Sequence, residues 1–260
     1  MAESSLGTAA GTGSSQVTAG SIRQLLWYML CALMGFVVLL IVLGQIARTL
    51  GSGTGSGMAV DYANNAVTVS ISTEPPDLNS TRGTDSVSFM VLGHVMEGLL
   101  RYDSSNNLVP GVAESYDIGP TFARFHIRED ALWHDGTPVT AHDFVFAWRK
   151  GVDPENASQY AFILFPIKNA QRVNSGELPL DQLGAYAADA RILEVELEQP
   201  TSYFDKLLAF ATYFPINEAF YEAMEGAYAA DADKMLYNGP FVIASWAHDA
   251  NLRLEKNQRY

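Results

Sequence analysis

At 260 residues the chain can hold one large domain or two small ones. Its formal net charge of −13 argues against nucleic-acid binding, which calls for basic patches. Acidity otherwise speaks only to solubility and to repulsion from anionic surfaces. The single cysteine, Cys31, excludes an intramolecular disulfide.

Residues 1–22 are mostly Gly, Ser, Thr, Ala and Gln, too poor in apolar side chains to fold, and predict a disordered tail. Leu25 to Leu43 then runs nineteen residues without a charge, between Arg23 and Arg48. That is close to the ~20 residues needed to cross a bilayer. A cleavable signal has a shorter apolar region and a small-x-small site. The best candidate here, Gln45-Ile46-Ala47, puts Gln where a small residue is wanted. Cys31 lacks the small residue before it that a lipoprotein signal requires. The expectation is an uncleaved membrane anchor over 23–48. One arginine on each side leaves its orientation open. Gly51 to Gly57, GSGTGSG, reads as the flexible part of a linker over 49–62. The folded region is expected over 63–260, enough residues for a proper core.

Val67 to Ile71 alternates apolar and polar and predicts a first strand, broken by Glu74-Pro75-Pro76-Asp77. Leu78 to Ser86 reads as a polar loop. Phe89, Leu92, Val95, Met96 and Leu99 follow at helical spacing, with Gly98 near the expected helix end. Leu193, Val195 and Leu197 alternate with Glu194, Glu196 and Glu198, a half-buried strand stopped by Pro200. Ser202 to Phe210 predicts a short helix with Phe204, Leu207 and Leu208 inward. Asn238-Gly239-Pro240 turns into a strand over Phe241–Trp246, and Leu252 and Leu254 mark a last strand. Strands and helices mix without regular alternation, which predicts an irregular α/β (mixed α+β) sheet domain.

The segment Phe125–Lys150 is the most distinctive. Phe125 and Ile127 alternate with Arg124, His126 and Arg128 as in a strand with one buried face. His134-Asp135-Gly136-Thr137-Pro138 collects turn residues. Thr140 is placed to cap a helix, with Asp143 in its first turn, a weaker form of the capping box. Phe144, Ala147, Trp148 and Gly151 then form one helical face. His126, His134 and His142 straddle three elements and lack ligand spacing. They read as ordinary surface or turn histidines, and Trp133 and Trp148 as core.

Catalytic and cofactor signatures are missing from the sequence. There is no G-x-G-x-x-G after a strand, no G-x-x-x-x-G-K-[ST], no H-E-x-x-H and no G-x-S-x-G. Glu194, Glu196 and Glu198 share one strand face as a solvated stripe, not as a paired acid and base. The sequence thus offers no site for catalysis, a cofactor or a metal.

Several segments, in order, resemble the bacterial family 5 extracytoplasmic solute-binding proteins, the oligopeptide- and dipeptide-binding proteins of ABC importers. They are Glu97-Gly98-Leu99-Leu100, Pro110–Tyr116, Phe125–Trp148, Val152-Asp153-Pro154 with Ala157–Ala161, Leu193–Pro200 with Tyr203–Leu208, and Asn238–Phe241. The resemblance covers about Val67 to Tyr260. It implies a clamshell like the type II periplasmic binding proteins, of which this chain supplies the first lobe only, preceded by a transmembrane helix. It further implies an oligopeptide held through its backbone between two lobes, a monomer, and delivery to ABC permease subunits from the periplasmic side of the bacterial inner membrane. Relatives that bind nickel, haem or oligosaccharide share the general signature. An anchored interaction or chaperone-like domain is the rival outside transport.

The same resemblance implies ligand contacts from Thr84, Asp85 and Ser86 in the loop before the first helix, from Tyr160, and from Asn238-Gly239 at the cleft edge. Asp85 reads equally as a cap, and Tyr160, Asn238 and Gly239 equally as structural residues. Family members are about twice as long. The residue pairing with a peptide's amino terminus is therefore expected in a second lobe beyond Tyr260.

Overall fold

The computed structural model describes residues 19–51, 60–61 and 66–260. Most of the expected tail, through residue 18, and residues 52–59 and 62–65 of the expected linker lie outside the described residues. The chain divides into two units, Met1–Ser70 and Ile71–Tyr260.

In the first unit, helix α1 spans Ala19–Gly51. It starts before Arg23 and runs past Arg48, so the helix takes in the end of the expected tail and the first linker glycine. Leu26 to Gln45 is apolar and long enough to cross a bilayer, and its side chains are exposed. Strands β1 (Val60–Asp61) and β2 (Ala66–Val67) form a small antiparallel pair. The expected strand over Val67–Ile71 is thereby corrected: its pairing stops at Val67. Alternation marks a chain able to pair, but a ladder also needs a partner, and Thr68 to Ile71 has none among the described residues. Val67 and Val69 are 64% and 67% exposed.

The second unit begins with helix α2 (Ser86–Val95) and the short strands β3 (Leu100–Tyr102) and β4 (Leu108–Pro110), which pair antiparallel. Strands β5 (Ala113–Ile118) and β6 (Phe122–Ile127) follow, then helix α3 (Ala141–Val152) and helix α4 (Ala170–Asn174). Strands β7 (Ala185–Ala187) and β8 (Ile192–Glu196) complete an antiparallel sheet of order β5-β6-β8-β7. Short helices α5 (Phe204–Leu207) and α6 (Glu218–Ala223) precede the hairpin β9 (Phe241–Ala247) and β10 (Asn251–Lys256).

The core lies between the four-stranded sheet and α3. Phe125 and Ile127 from β6 and Leu193 and Val195 from β8 face inward, at most 1% exposed. Phe144, Ala147, Trp148 and Gly151 bring the predicted face of α3 against this cluster. Gly151 is required by close approach: a Cβ there would lie 2.5 Å from a Leu164 methyl carbon. At the start of α3, Asp143 reaches back to the Thr140 amide at 2.7 Å, the reciprocal half of a capping box. Burial pushes the Asp143 carboxyl up to about 6, against the opposing pull of the Thr140 amide. On the outer face the glutamate stripe is partnered. Glu194 pairs with Arg124, Glu196 with Lys168, and Glu198 accepts the Asn169 amide at 2.8 Å.

Two further expectations are shortened. α2 ends at Val95 and does not reach Leu99, because Met96 is extended and the chain turns away. Gly98 is no cap: its Cβ would stand 2.5 Å from the Leu208 carbonyl, so the glycine permits two backbones to touch. The helix expected over Ser202–Phe210 contracts to Phe204–Leu207, with turns around it. His134 is structural, exchanging backbone and ring hydrogen bonds with Tyr237, and burial lowers its pKa. Trp133 and Trp148 are fully buried.

Candidate functional site: a rim at the start of helix α2

The loop leading into α2 is knit by its own short polar side chains. Asp77 accepts the Asn79 amide at 2.8 Å. Asn79 in turn accepts the Thr81 amide and hydroxyl, at 3.1 and 2.8 Å. The Asn79 carbonyl takes the amides of Arg82 and Gly83. Leu78, Asn79, Ser80 and Thr81 are at most 3% exposed, so the stretch that reads as a polar loop is here a buried turn held by several of its own hydrogen bonds. Burial raises the Asp77 carboxyl, opposed by the Asn79 amide and Arg82, with which it pairs at 3.3 Å.

That turn delivers Thr84, Asp85 and Ser86 to one place. Asp85 is the N-cap of α2, its Oδ1 accepting the amides of Val87 at 3.0 Å and Ser88 at 2.8 Å. Ser86 is exposed beside it. The Thr84 carbonyl accepts the Tyr160 hydroxyl at 3.4 Å, and Asn156 donates to the Thr81 hydroxyl at 3.1 Å. The loop from Asp153 to Tyr160 is thus docked on the loop before α2 at two points.

An aromatic wall backs this junction. Tyr160 stacks on Phe89 with centroids 5.8 Å apart and planes 26° from parallel. Phe162 meets Tyr160 edge-on at 5.7 Å, and Phe210 closes on Phe89 at 5.1 Å. Phe162 is nonetheless 57% exposed, leaving an apolar ring face open next to the polar rim. Such mixed surfaces, an aromatic platform beside main-chain and hydroxyl groups, suit ligands with both apolar side chains and a polar backbone.

Asn238 and Gly239 sit elsewhere, at the opposite end of α2. The Asn238 side chain accepts the Glu97 amide at 3.0 Å and donates to the Glu97 carbonyl at 2.9 Å. The Gly239 amide donates to the Val95 carbonyl at 2.9 Å, and a Cβ on Gly239 would fall 2.6 Å from the Met96 nitrogen. Asn238 is 2% exposed. The six residues therefore form two groups, Thr84, Asp85, Ser86 and Tyr160 at one end of a ten-residue helix and the Asn238-Gly239 clip at the other. Sequence reasoning missed Phe89, Phe162 and Phe210. Phe162 alone carried a readable signal, lying next to the Ala-Ser-x-Tyr-Ala segment.

The chain belongs to the bacterial extracellular solute-binding proteins, family 5: the profile of that family's middle region matches residues 107–260. It is 37% identical over 231 residues to an oligopeptide-binding protein, OppA, of Bacillus subtilis, covering 86% of this chain and 42% of the relative. Among solved structures it resembles the substrate-binding domain of an oligopeptide ABC transporter from Bacillus anthracis. There the identity is 44% and the TM-score 0.73, over 74% of this chain and 38% of that one. Listeria monocytogenes OppA bound to peptide is similar at 36% identity and TM-score 0.71, over 73% of this chain and 38% of that one. The chain thus spans about two fifths of the length of these relatives. The mixed α/β fold is that of periplasmic binding proteins, as the sequence predicts.

Proposed function

We propose that the protein is the extracytoplasmic substrate-binding component of an ABC importer, taking up oligopeptides and presenting them to a membrane permease. The observation that carries the reading is the match of 73% of this chain to a peptide-bound relative, at 36% identity, too high for fold likeness alone. The Ile71–Tyr260 unit acts as one lobe of a clamshell, and a peptide lies along Thr84, Asp85, Ser86 and Tyr160 with a side chain against Phe162. Asn238 and Gly239 serve the site by fixing α2. Main-chain hydrogen bonding of an extended peptide gives affinity without reading its sequence. Bridging waters then accommodate varied side chains, and the ligand's preference for the closed state drives hinge closure. The role is binding without catalysis or cofactor. Leu25–Leu43 anchors the protein in the bacterial inner membrane with its folded part in the periplasm, and it works as a monomer.

Calorimetry on the full-length gene product decides the ligand class. Short peptides are expected to bind, while nickel, haem and oligosaccharides do not. Binding of one of those three with no response to a peptide pool would overturn the reading.

A further inference from the structure

Outside the rim, one polar side chain joins several elements: Glu97, directly after the C-cap of α2. It is only 5% exposed, yet its carboxylate meets three groups, two of them from distant segments. Tyr260 donates its hydroxyl at 2.7 Å, Arg101 approaches at 3.2 Å and Arg128 at 3.4 Å. The Arg128 guanidinium also lies over the Tyr260 ring, 5.8 Å from its centroid. The Glu97 backbone is held on both sides by Asn238, as described above. One residue thus ties the end of α2 to β3, to the segment after β6, to the turn before β9 and to the segment after β10.

There is little slack around it. A Cβ on Gly111 would lie 2.6 Å from the Gly98 carbonyl and 3.3 Å from the Glu97 Cγ. Burial and the bond to Glu97 push the Tyr260 phenol up to about 12, so it remains a donor at neutral pH. Only the carboxylate is buried, while Arg101 and Tyr260 are half exposed and Arg128 is partly so, and ion pairs open to water are a modest source of stability. What it adds is a fixed register between the segments it joins.

We infer that Glu97, clasped by Tyr260, Arg101 and Arg128, is a positioning residue that fixes one end of α2 so that the ligand rim at the other end is held ready. The inference rests on the peptide-binding reading above. A ten-residue helix is a stiff rod about 15 Å long, so a shift at Val95 is carried to Asp85. The cluster also links the rim to the position of the β9–β10 hairpin through Tyr260. Removing Glu97 itself would delete three contacts at once, leaving Arg128 with Asp130 alone and Arg101 to water. Tyr260→Phe is the milder probe, deleting one hydroxyl while keeping the ring on Arg128.

The test uses the full-length gene product with two readouts: hydrogen exchange of Val87–Val95 without ligand, and peptide affinity by calorimetry. Val173→Ala, in the core on α4 and outside the clasp, controls for lost stability. Tyr260→Phe is expected to speed exchange in α2 and weaken peptide binding about three- to tenfold, the scale of the net contribution of one ordinary hydrogen bond. Val173→Ala lowers the unfolding midpoint and leaves affinity unchanged. If wild type binds peptide and Tyr260→Phe loses no more affinity than Val173→Ala, the positioning role alone is overturned. Unchanged α2 exchange in Tyr260→Phe overturns it as well. If wild type binds no peptide, the functional reading fails first and takes this proposal with it.

Discussion

Replacing Trp148 with alanine is expected to destabilise the Ile71–Tyr260 unit by about 3–5 kcal/mol, the range for truncating a fully buried aromatic side chain. Trp148 is the hub of the α3 interface. Its indole packs edge-on against Phe144 at 6.2 Å and Tyr213 at 5.3 Å, and its N–H donates to the Tyr213 carbonyl at 3.0 Å. Tyr213 passes the constraint on, donating its hydroxyl to the Ile163 carbonyl at 2.9 Å and packing on Phe204. Ile163 lies next to Phe162, so the loss reaches the loop that carries Tyr160. Urea titration should show a large fall in midpoint. A change under about 1 kcal/mol would mean that the cavity collapses freely and that the site is not close-packed.

Asn238→Ala comes next, with an expected cost of about 2–4 kcal/mol. The side chain satisfies both the amide and the carbonyl of Glu97. Truncation leaves two buried main-chain groups without partners, each worth about 1–3 kcal/mol. Asn238→Asp keeps one acceptor and should fall between alanine and wild type in thermal unfolding. An alanine variant as stable as wild type would show that water replaces the amide, and the clip would then not be what ends α2.

The elements that a local pattern can specify were legible in the sequence. β6 and β8 follow from alternation because both bury one face on α3, and α3 itself follows from Thr140, Asp143 and the Phe144–Gly151 stripe. What the pattern could not reach was decided by partners far along the chain. α2 stops early because Asn238 supplies the hydrogen bonds that a further turn would have made. Thr68 to Ile71 alternates as a strand should, but alternation says nothing about whether an edge is available. The loop before α2 looked polar because it is, but its Asp77 and Asn79 side chains accept amides of its own backbone and let it be buried.

The candidate site follows the same division. Thr84, Asp85, Ser86 and Tyr160 came from family resemblance, and the fold gathers them at one end of α2. Phe89 and Phe210 were read only as helix residues, since nothing local announces that they will meet Tyr160. The Glu97 cluster is less visible still. Its members come from four separated stretches, and no local pattern announces that these will meet at one carboxylate.

The central claim is that a peptide lies on the rim at the start of α2. Hydrogen exchange of the full-length gene product, with and without a saturating pool of short peptides, tests it most directly. Ligand is expected to slow exchange over Thr84–Ser88 and Tyr160–Phe162 and to leave the outer strand β5 unchanged. Protection confined to other segments, with both rim stretches exchanging as in the free protein, would contradict the claim.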